Sequence, residues 1–137
     1  MSQLDQLVQL ALQAAENAYA PYSGFRVGAA LLLHSGQAVT GANVENVSYG
    51  LTICAERSAL VRAVAEFGPE TRIHAVAVVN LNHAPSPPCG ACRQVLAEFC
   101  SADALISFPV LENGTVVQRT HRFGELLPFA FNLRLKP

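Results

Sequence analysis

Near the start of the chain, apolar and polar residues alternate with the period of an amphipathic helix. From Leu4 to Ala18 the apolar side chains recur at steps of three or four residues, with polar side chains between them. This spacing places the apolar side chains on one face, which packs against a core while the other face meets water. Turn formers follow in the segment Pro21-Tyr22-Ser23-Gly24. We therefore predict a helix over residues 4–18 that is followed by a turn.

A continuous apolar run and the segment after it predict two paired strands. The run from Phe25 to Leu33 lies between Gly24 and the turn His34-Ser35-Gly36. Such a run is typical of a strand that is covered on both faces. A second strand, near Ala38 to Glu45, would pair with it as a hairpin.

The rest of the chain alternates between helical and strand patterns. Helices are predicted at Cys54–Phe67, from Cys89 to about Cys100 and near Phe123–Leu127, and strands at Ile73–Val79 and Ala104–Phe108. A hairpin turn is expected at Glu112-Asn113-Gly114. Strands that alternate with helices predict a layered α/β fold around one sheet. Because 137 residues is a typical domain length, we expect a single domain over residues 1–137.

The composition excludes several classes of protein. Hydrophobic residues make up 51% of the chain and charged residues 14%, which excludes a disordered chain. The net charge is −1 and Lys136 is the one lysine, so no basic stripe is available to follow a nucleic acid. The longest apolar run, Val27 to Leu33, is far shorter than the ~20 residues that span a bilayer. The first residues have no basic region and include Asp5, unlike a secretory signal. We expect a soluble, cytoplasmic protein that binds neither nucleic acid nor membrane.

Three of the four cysteines have the spacing of metal ligands. The segment Pro88-Cys89-Gly90-Ala91-Cys92 opens a predicted helix, so its two thiols share one face and can chelate one ion. This CxxC motif alone is also typical of redox pairs and of structural zinc sites. Cys54, at the start of another predicted helix, supplies a third thiolate. Three thiolates leave one open position on a tetrahedral Zn²⁺ ion, as in catalytic zinc sites.

Two other residues are weaker candidates for a fourth ligand. If the helix from Cys89 continues, Cys100 lies about 12 Å along its axis from Cys92, which is too far to reach the same ion. We expect Cys100 to be a small buried residue. His83 lies six residues before Cys89 and is a more plausible rival ligand, but we expect a solvated loop histidine.

Glu56 is the candidate acid–base residue. It lies two residues after Cys54, so on a helix it points to a different side and is poorly placed as a further ligand. Its side chain can still bend toward a metal-activated water and move protons there. The alternative is a glutamate that only complements the helix dipole. The neighbouring cysteines favour the catalytic role.

These motifs resemble the zinc nucleoside deaminases, specifically the small cytidine deaminase family with three cysteine ligands. The similarity is carried by Cys54-Ala55-Glu56-Arg57 and by the CxxC segment. It extends through Pro21–Ala30, Gly41–Asn46 and Leu126–Phe131. The resemblance implies a three-layer α/β/α domain with a mixed five-stranded sheet. It also implies one Zn²⁺ per subunit and a homotetramer.

The resemblance also implies roles for residues outside the cysteine motifs. Asn43 and Glu45 project to the same side of an extended segment and would bind the sugar hydroxyls, whereas turn chemistry is the alternative. Phe25 would stack near the pyrimidine, although it is most simply a core residue. Three thiolates and Zn²⁺ carry a net charge of −1, which the guanidinium of Arg57 would offset.

A further set of residues is expected to reach the substrate of a neighbouring subunit. The resemblance assigns this role to Val47, Tyr49 and Phe131. The alternative for Phe131 is packing on its own core. The low charged fraction supports an oligomer, because a fully solvated small domain normally carries more charge.

The predicted reaction is zinc-dependent hydrolytic deamination of cytidine and deoxycytidine to uridine and deoxyuridine, with release of ammonia, in pyrimidine salvage. One alternative is a deaminase of another cytosine-bearing nucleoside, such as a nucleoside antibiotic. Another is a non-catalytic structural zinc module, which would use four ligands. A polynucleotide deaminase would need a basic channel and exposed aromatics, and the weakly acidic balance argues against it.

Overall fold

The computed structural model describes residues 1–133. Within that range the helices are α1 (Gln3–Ala15), α2 (Ala55–Phe67), α3 (Gly90–Ala97) and α4 (Phe123–Leu126), with a 3₁₀ turn at Tyr49–Leu51. The strands are β1 (Val27–Leu33), β2 (Ala38–Ala42), β3 (Ile73–Asn80), β4 (Cys100–Glu112) and β5 (Thr115–Arg122). The end of the predicted domain, residues 134–137, lies outside the described residues.

The strands form one mixed sheet in the order β2-β1-β3-β4-β5. β1 pairs antiparallel with β2 and with β3, and β4 pairs antiparallel with β5. β3 and β4 are parallel, and α3 forms the crossover that a parallel pair requires. The prediction of a mixed five-stranded sheet is confirmed.

Helices cover both faces of the sheet. Successive side chains of β1 point to opposite faces, so Ala30 and Leu32 pack with α1, while Ala29 and Leu31 pack with α2 and Leu96 of α3. α1 contributes its buried stripe of Leu7, Ala11 and Ala15. The prediction that β1 is covered on both faces is therefore confirmed, and the layers are α/β/α. No helix within residues 1–133 combines the length and apolar character that crossing a membrane requires.

The first predicted helix and the second predicted strand end earlier than the sequence pattern indicated. α1 stops at Ala15, because turn bonds follow it and Tyr19 then bridges to Val44. β2 stops at Ala42, since Val44 leaves the sheet edge and pairs instead with Tyr19 and Ile53. These short bridges hold the segment after β2 against the segment before α2.

The boundary between α3 and β4 differs most from the prediction. The helix ends at Ala97, where the amide of Phe99 donates to the carbonyl of Leu96. β4 begins at Cys100, which pairs with Ile73 of β3. Placing Cys100 on the helix was therefore wrong, because tertiary pairing with β3 outweighs the helical pattern. The predicted hairpin turn is confirmed at Asn113-Gly114, where both residues adopt positive φ.

Candidate active site

The starts of two helices bring three thiols together. Cys54 is the N-cap of α2 and Cys89 is the N-cap of α3, where its sulfur accepts from the amide of Cys92. The Sγ atoms of Cys54 and Cys89 lie 4.0 Å apart, and those of Cys89 and Cys92 lie 3.4 Å apart. All three lie within 4.8 Å of one another. The predicted cluster of three cysteines is therefore present.

The geometry of the three sulfurs fits a zinc ion. Zn–S bonds of about 2.3 Å in a tetrahedral site place two sulfurs about 3.8 Å apart. The Cys89 Sγ lies close to this distance from the Sγ atoms of Cys54 and Cys92. Within residues 1–133 no other group of three or more histidine, cysteine or acidic side chains has such spacing. Cys100 lies on β4, and His83 lines a different cavity beside α1. The cluster can therefore hold one zinc ion and leave a coordination position open.

Arg57 lies one helical turn after Cys54 and contacts the cluster. Its Nη2 donates to the Cys54 Sγ at 3.3 Å. The Cys92 thiol and then the Arg57 guanidinium lower the pKa of Cys54 to about 5, whereas contact with Cys54 and burial raise the pKa of Cys92. The thiolate form is therefore favoured at Cys54, where the Arg57 guanidinium lies next to the sulfur.

Glu56 is buried beside the thiols, with 4% of its surface exposed. It lines the same cavity as Cys54 and Cys89. Burial, and then the negative charge of Cys54, raise the pKa of this carboxyl above its usual value. A glutamate that only complemented the dipole of α2 would lie in solvent, so the burial of Glu56 favours a role in the cavity.

The cavity next to the thiols is about 210 Å³ in volume, which is enough for one small planar ring. Its lining contains Phe25, Val27, Asn43, Thr52, Cys54, Ala55, Glu56, Val78, Ser86, Pro87 and Cys89. Sequence reasoning missed Thr52, Ser86 and Pro87. Ser86 and Pro87 directly precede the CxxC segment, and that position was the available signal.

Asn43 lines this cavity and organises one of its walls. Its Oδ1 accepts from the amide of Val27 at 2.8 Å, and its Nδ2 donates to the carbonyl of Phe25 at 2.8 Å. The side chain therefore fixes the backbone on both sides of Arg26 and so orients Phe25. Two of its hydrogen-bonding positions remain available for other partners.

Glu45 lines a neighbouring cavity of about 270 Å³, together with Tyr22, Ser23, Tyr49 and Thr52. Its carboxylate accepts from the amides of Tyr22 and Ser23 at 2.9 and 3.1 Å and from the Ser23 hydroxyl. These bonds, the hydroxyl first, lower the pKa of Glu45. Thr52 lines both cavities, so Glu45 and Asn43 border adjoining spaces.

The three residues expected at a neighbouring subunit's site lie apart from the cysteine cavity of their own chain. Val47 is 76% exposed, Tyr49 is 74% exposed and Phe131 is 76% exposed. Tyr49 borders the cavity of Glu45, whereas Phe131 borders a separate space beside α3 with Gln94, Ala97 and Glu98. The chain thus brings together the cysteines, Glu56, Arg57, Phe25 and Asn43, and leaves these three side chains facing outward.

Comparison with known proteins shows which family the chain belongs to. A family model described as the cytidine and deoxycytidylate deaminase zinc-binding region matches residues 1–107. The chain is 51% identical over 125 residues to the cytidine deaminase of Halalkalibacterium halodurans, and the matched region covers 91% of each protein. It is 50% identical over 123 residues to the cytidine deaminase of Mycobacterium tuberculosis, and the matched region covers 90% of this chain and 85% of that protein.

A solved structure extends the agreement to the fold. The crystal structure of cytidine deaminase from Burkholderia pseudomallei matches with a TM-score of 0.81 and 45% identity, over 96% of this chain and 100% of that chain. Fold and cluster together define a zinc-binding deaminase domain. The chain belongs to the cytidine and deoxycytidylate deaminase family, as the resemblance of its motifs predicted.

Proposed function

We propose that this chain hydrolyses cytidine and deoxycytidine to uridine and deoxyuridine and releases ammonia. The observation that carries the proposal is the buried Glu56 beside three convergent thiols in a cavity of small-ring size. Membership of the deaminase family supports the reaction class, and the names of the relatives support cytidine as the substrate.

Cys54, Cys89 and Cys92 would hold one zinc ion per subunit. When bound, zinc supplies Lewis acidity that makes water nucleophilic near neutral pH. Arg57 would offset the net charge of −1 that three thiolates and Zn²⁺ carry, and its contact with the Cys54 Sγ supports this role.

Glu56 would move the protons of the reaction. Its carboxylate would take the two protons of the attacking water one after the other, delivering the first to N3 and the second to the amine. The C4–N4 bond then breaks, ammonia leaves and the added oxygen becomes the carbonyl of the uracil ring. Burial raises the pKa of this group, which brings it closer to the range in which one side chain can both accept and donate protons. Burial also keeps bulk water from competing for those protons.

Phe25, Asn43 and Glu45 would bind the nucleoside. The ring of Phe25 would stack on the pyrimidine, while Asn43 and Glu45 would hydrogen-bond the sugar hydroxyls. The adjoining cavities that these residues line, which meet at Thr52, support a base site and a sugar site side by side.

The functional unit would be a homotetramer with shared active sites. A set of exposed apolar side chains on the described surface supports this proposal: Tyr19, Tyr22, Val44, Val47, Tyr49, Leu51 and Ile53. The rings of Tyr22 and Tyr49 contact edge to face with their centroids 6.0 Å apart, and Val44 forms backbone bridges to Tyr19 and Ile53. Much of the set is therefore contiguous.

We also propose one domain over residues 1–137, a cytoplasmic location and a role in pyrimidine salvage.

An assay on metal-analysed protein tests the proposed function. Cytidine and deoxycytidine should be deaminated, while adenosine should not. CMP should be a poor substrate, because Arg26 and Arg93, the first candidates for a phosphate site, already have hydrogen-bond partners. Arg93 donates to the carbonyls of Pro88 and Leu126, and Arg26 donates to the carbonyl of Glu16. A zinc-loaded protein that turns over neither nucleoside would refute the proposal.

A further inference from the structure

A buried asparagine organises the loop between β3 and α3. Asn80, the last residue of β3, is 8% exposed. Its Nδ2 donates to the carbonyl of Ala84 at 2.8 Å and to the Ser86 Oγ at 2.9 Å. Its Oδ1 accepts from the amides of Asn82 at 3.0 Å and of Ala84 at 3.2 Å. All four hydrogen-bonding positions of the amide are thus used inside the loop.

A second asparagine connects this loop to the turn that precedes β1. The Asn82 Oδ1 accepts from the amide of Arg26 at 3.0 Å, and its Nδ2 donates to the carbonyl of Gly24 at 3.1 Å. One backbone bond runs alongside, from the amide of Leu81 to the carbonyl of Arg26 at 3.0 Å. The side chain of Asn82 therefore holds the residues on both sides of Phe25.

The two asparagines together join two walls of the cysteine cavity. Phe25 lies within the turn that Asn82 holds, and Ser86 lies in the loop that Asn80 holds; both line the cavity. His83, the residue after Asn82, has a φ of 53°, a backbone conformation that residues other than glycine rarely adopt. A loop with such a residue needs fixed hydrogen bonds to keep one shape, and Asn80 supplies them on both sides of His83.

We propose that Asn80 and Asn82 are positioning residues that set the width of the base site by fixing Phe25 relative to Ser86. The inference rests on the proposed function, because it concerns how that cavity binds a pyrimidine ring. Neither side chain bonds to Glu56 or to a cysteine. Their loss should therefore weaken substrate binding more than it slows the chemical step.

Substitution of Asn82, whose side chain is exposed, tests the inference with little risk to folding. Asn82→Ala should raise KM for cytidine about tenfold while kcat stays within about twofold, as expected when up to two hydrogen bonds that position a wall are lost. The matched control is Asn17→Ala, the same change at an exposed asparagine whose side chain makes no hydrogen bond within residues 1–133. Zinc content should equal that of the wild type in both variants.

Hydrogen exchange gives a readout that does not depend on turnover. In Asn82→Ala the amide of Arg26 should exchange faster, because it loses its acceptor, whereas Asn17→Ala should leave it unchanged. If the wild type does not deaminate cytidine, the proposed function fails, and this exchange measurement still decides whether the asparagines hold the turn.

Asn80→Asp provides a second variant of equal size. It retains the acceptor oxygen but removes the donor to Ala84 and Ser86. KM for cytidine should rise here too. In the double variant KM should rise by less than the product of the two single increases, since both substitutions change the same distance between Phe25 and Ser86. An unchanged KM in Asn82→Ala, or a fall in kcat with KM unchanged, would overturn the inference.

Discussion

Arg57 donates to the Cys54 Sγ from one turn further along α2, at 3.3 Å. The contact places a guanidinium beside the thiol whose pKa is lowered to about 5. The guanidinium of Arg57 therefore offsets negative charge on the sulfur of Cys54.

Removing this guanidinium should impair catalysis more than metal binding. In Arg57→Gln the three cysteines remain, so about one zinc per chain should stay bound, while kcat falls about tenfold because the uncompensated charge weakens the Lewis acidity of the ion. Arg57→Lys should recover part of the rate. Arg62→Gln on the same helix is the control, because Arg62 donates to Thr40. Unchanged kcat in Arg57→Gln would contradict the assignment.

The ligand assignment predicts a sharp difference among the cysteines. Cys89→Ala and Cys92→Ala should each retain less than about a fifth of the wild-type zinc after dialysis, because two thiolates hold zinc far more weakly than three. Cys100→Ala should retain about one zinc per chain, since Cys100 lies on β4 outside the cluster. Metal analysis by mass spectrometry measures this directly. Full retention in both ligand variants would remove the basis for the site.

Glu56→Gln separates metal binding from proton transfer. The amide has nearly the same volume as the carboxyl and cannot take a proton, so kcat should fall by about 10²–10⁴ while zinc stays bound. Glu66→Gln, an exposed change near the end of α2, should leave kcat unaltered. Steady-state rates and zinc content of the two variants decide the matter. A rate near that of the wild type would return Glu56 to a helix-dipole role.

The sequence predicts those parts of the site whose signals are local. Cys54 and Cys89 could be assigned to one metal site because each stands at the start of a predicted helix, where a thiol can join a metal cluster. The hydrogen bonds of Asn82 could not be predicted, because Arg26 and Gly24 lie 56 and 58 residues away. The start of β4 at Cys100 likewise depends on pairing with Ile73, which no pattern near Cys100 reports.

A close approach between β2 and α2 predicts a large effect at Gly41. A Cβ atom on Gly41 would fall 2.4 Å from the backbone nitrogen of Ala59. Gly41→Ala should therefore destabilise the fold by about 2 kcal/mol or more, because neither backbone can move without disturbing the sheet. Gly124→Ala is a graded comparison, since its nearest contact is a side-chain carbon at 3.1 Å. At equal protein concentration, the midpoint temperature of thermal unfolding should be well below that of Gly124→Ala in the Gly41→Ala variant. Equal midpoints would contradict the packing argument.

Phe131 provides the test of a shared active site. It is exposed and borders a space beside α3 rather than the cysteine cavity of its own chain. If it serves a neighbouring subunit, Phe131→Ala and Glu56→Gln should each be impaired as pure assemblies. The two defects would then lie in different chains of one site, and a mixed assembly can combine the intact halves.

Mixed assemblies should therefore regain activity. In a random one-to-one mixture, half of the chains retain Glu56, and about half of those meet a neighbour with an intact Phe131, so about a quarter of the sites should work normally. Activity should rise above the average of the parents only after the subunits have exchanged, and the same two proteins combined without exchange serve as the control. If exchange is demonstrated by mass spectrometry and the activity stays at the parental average, Phe131 does not complete a neighbour's site, because every arrangement that pairs an intact Glu56 with a neighbour's Phe131 would then be present and inactive.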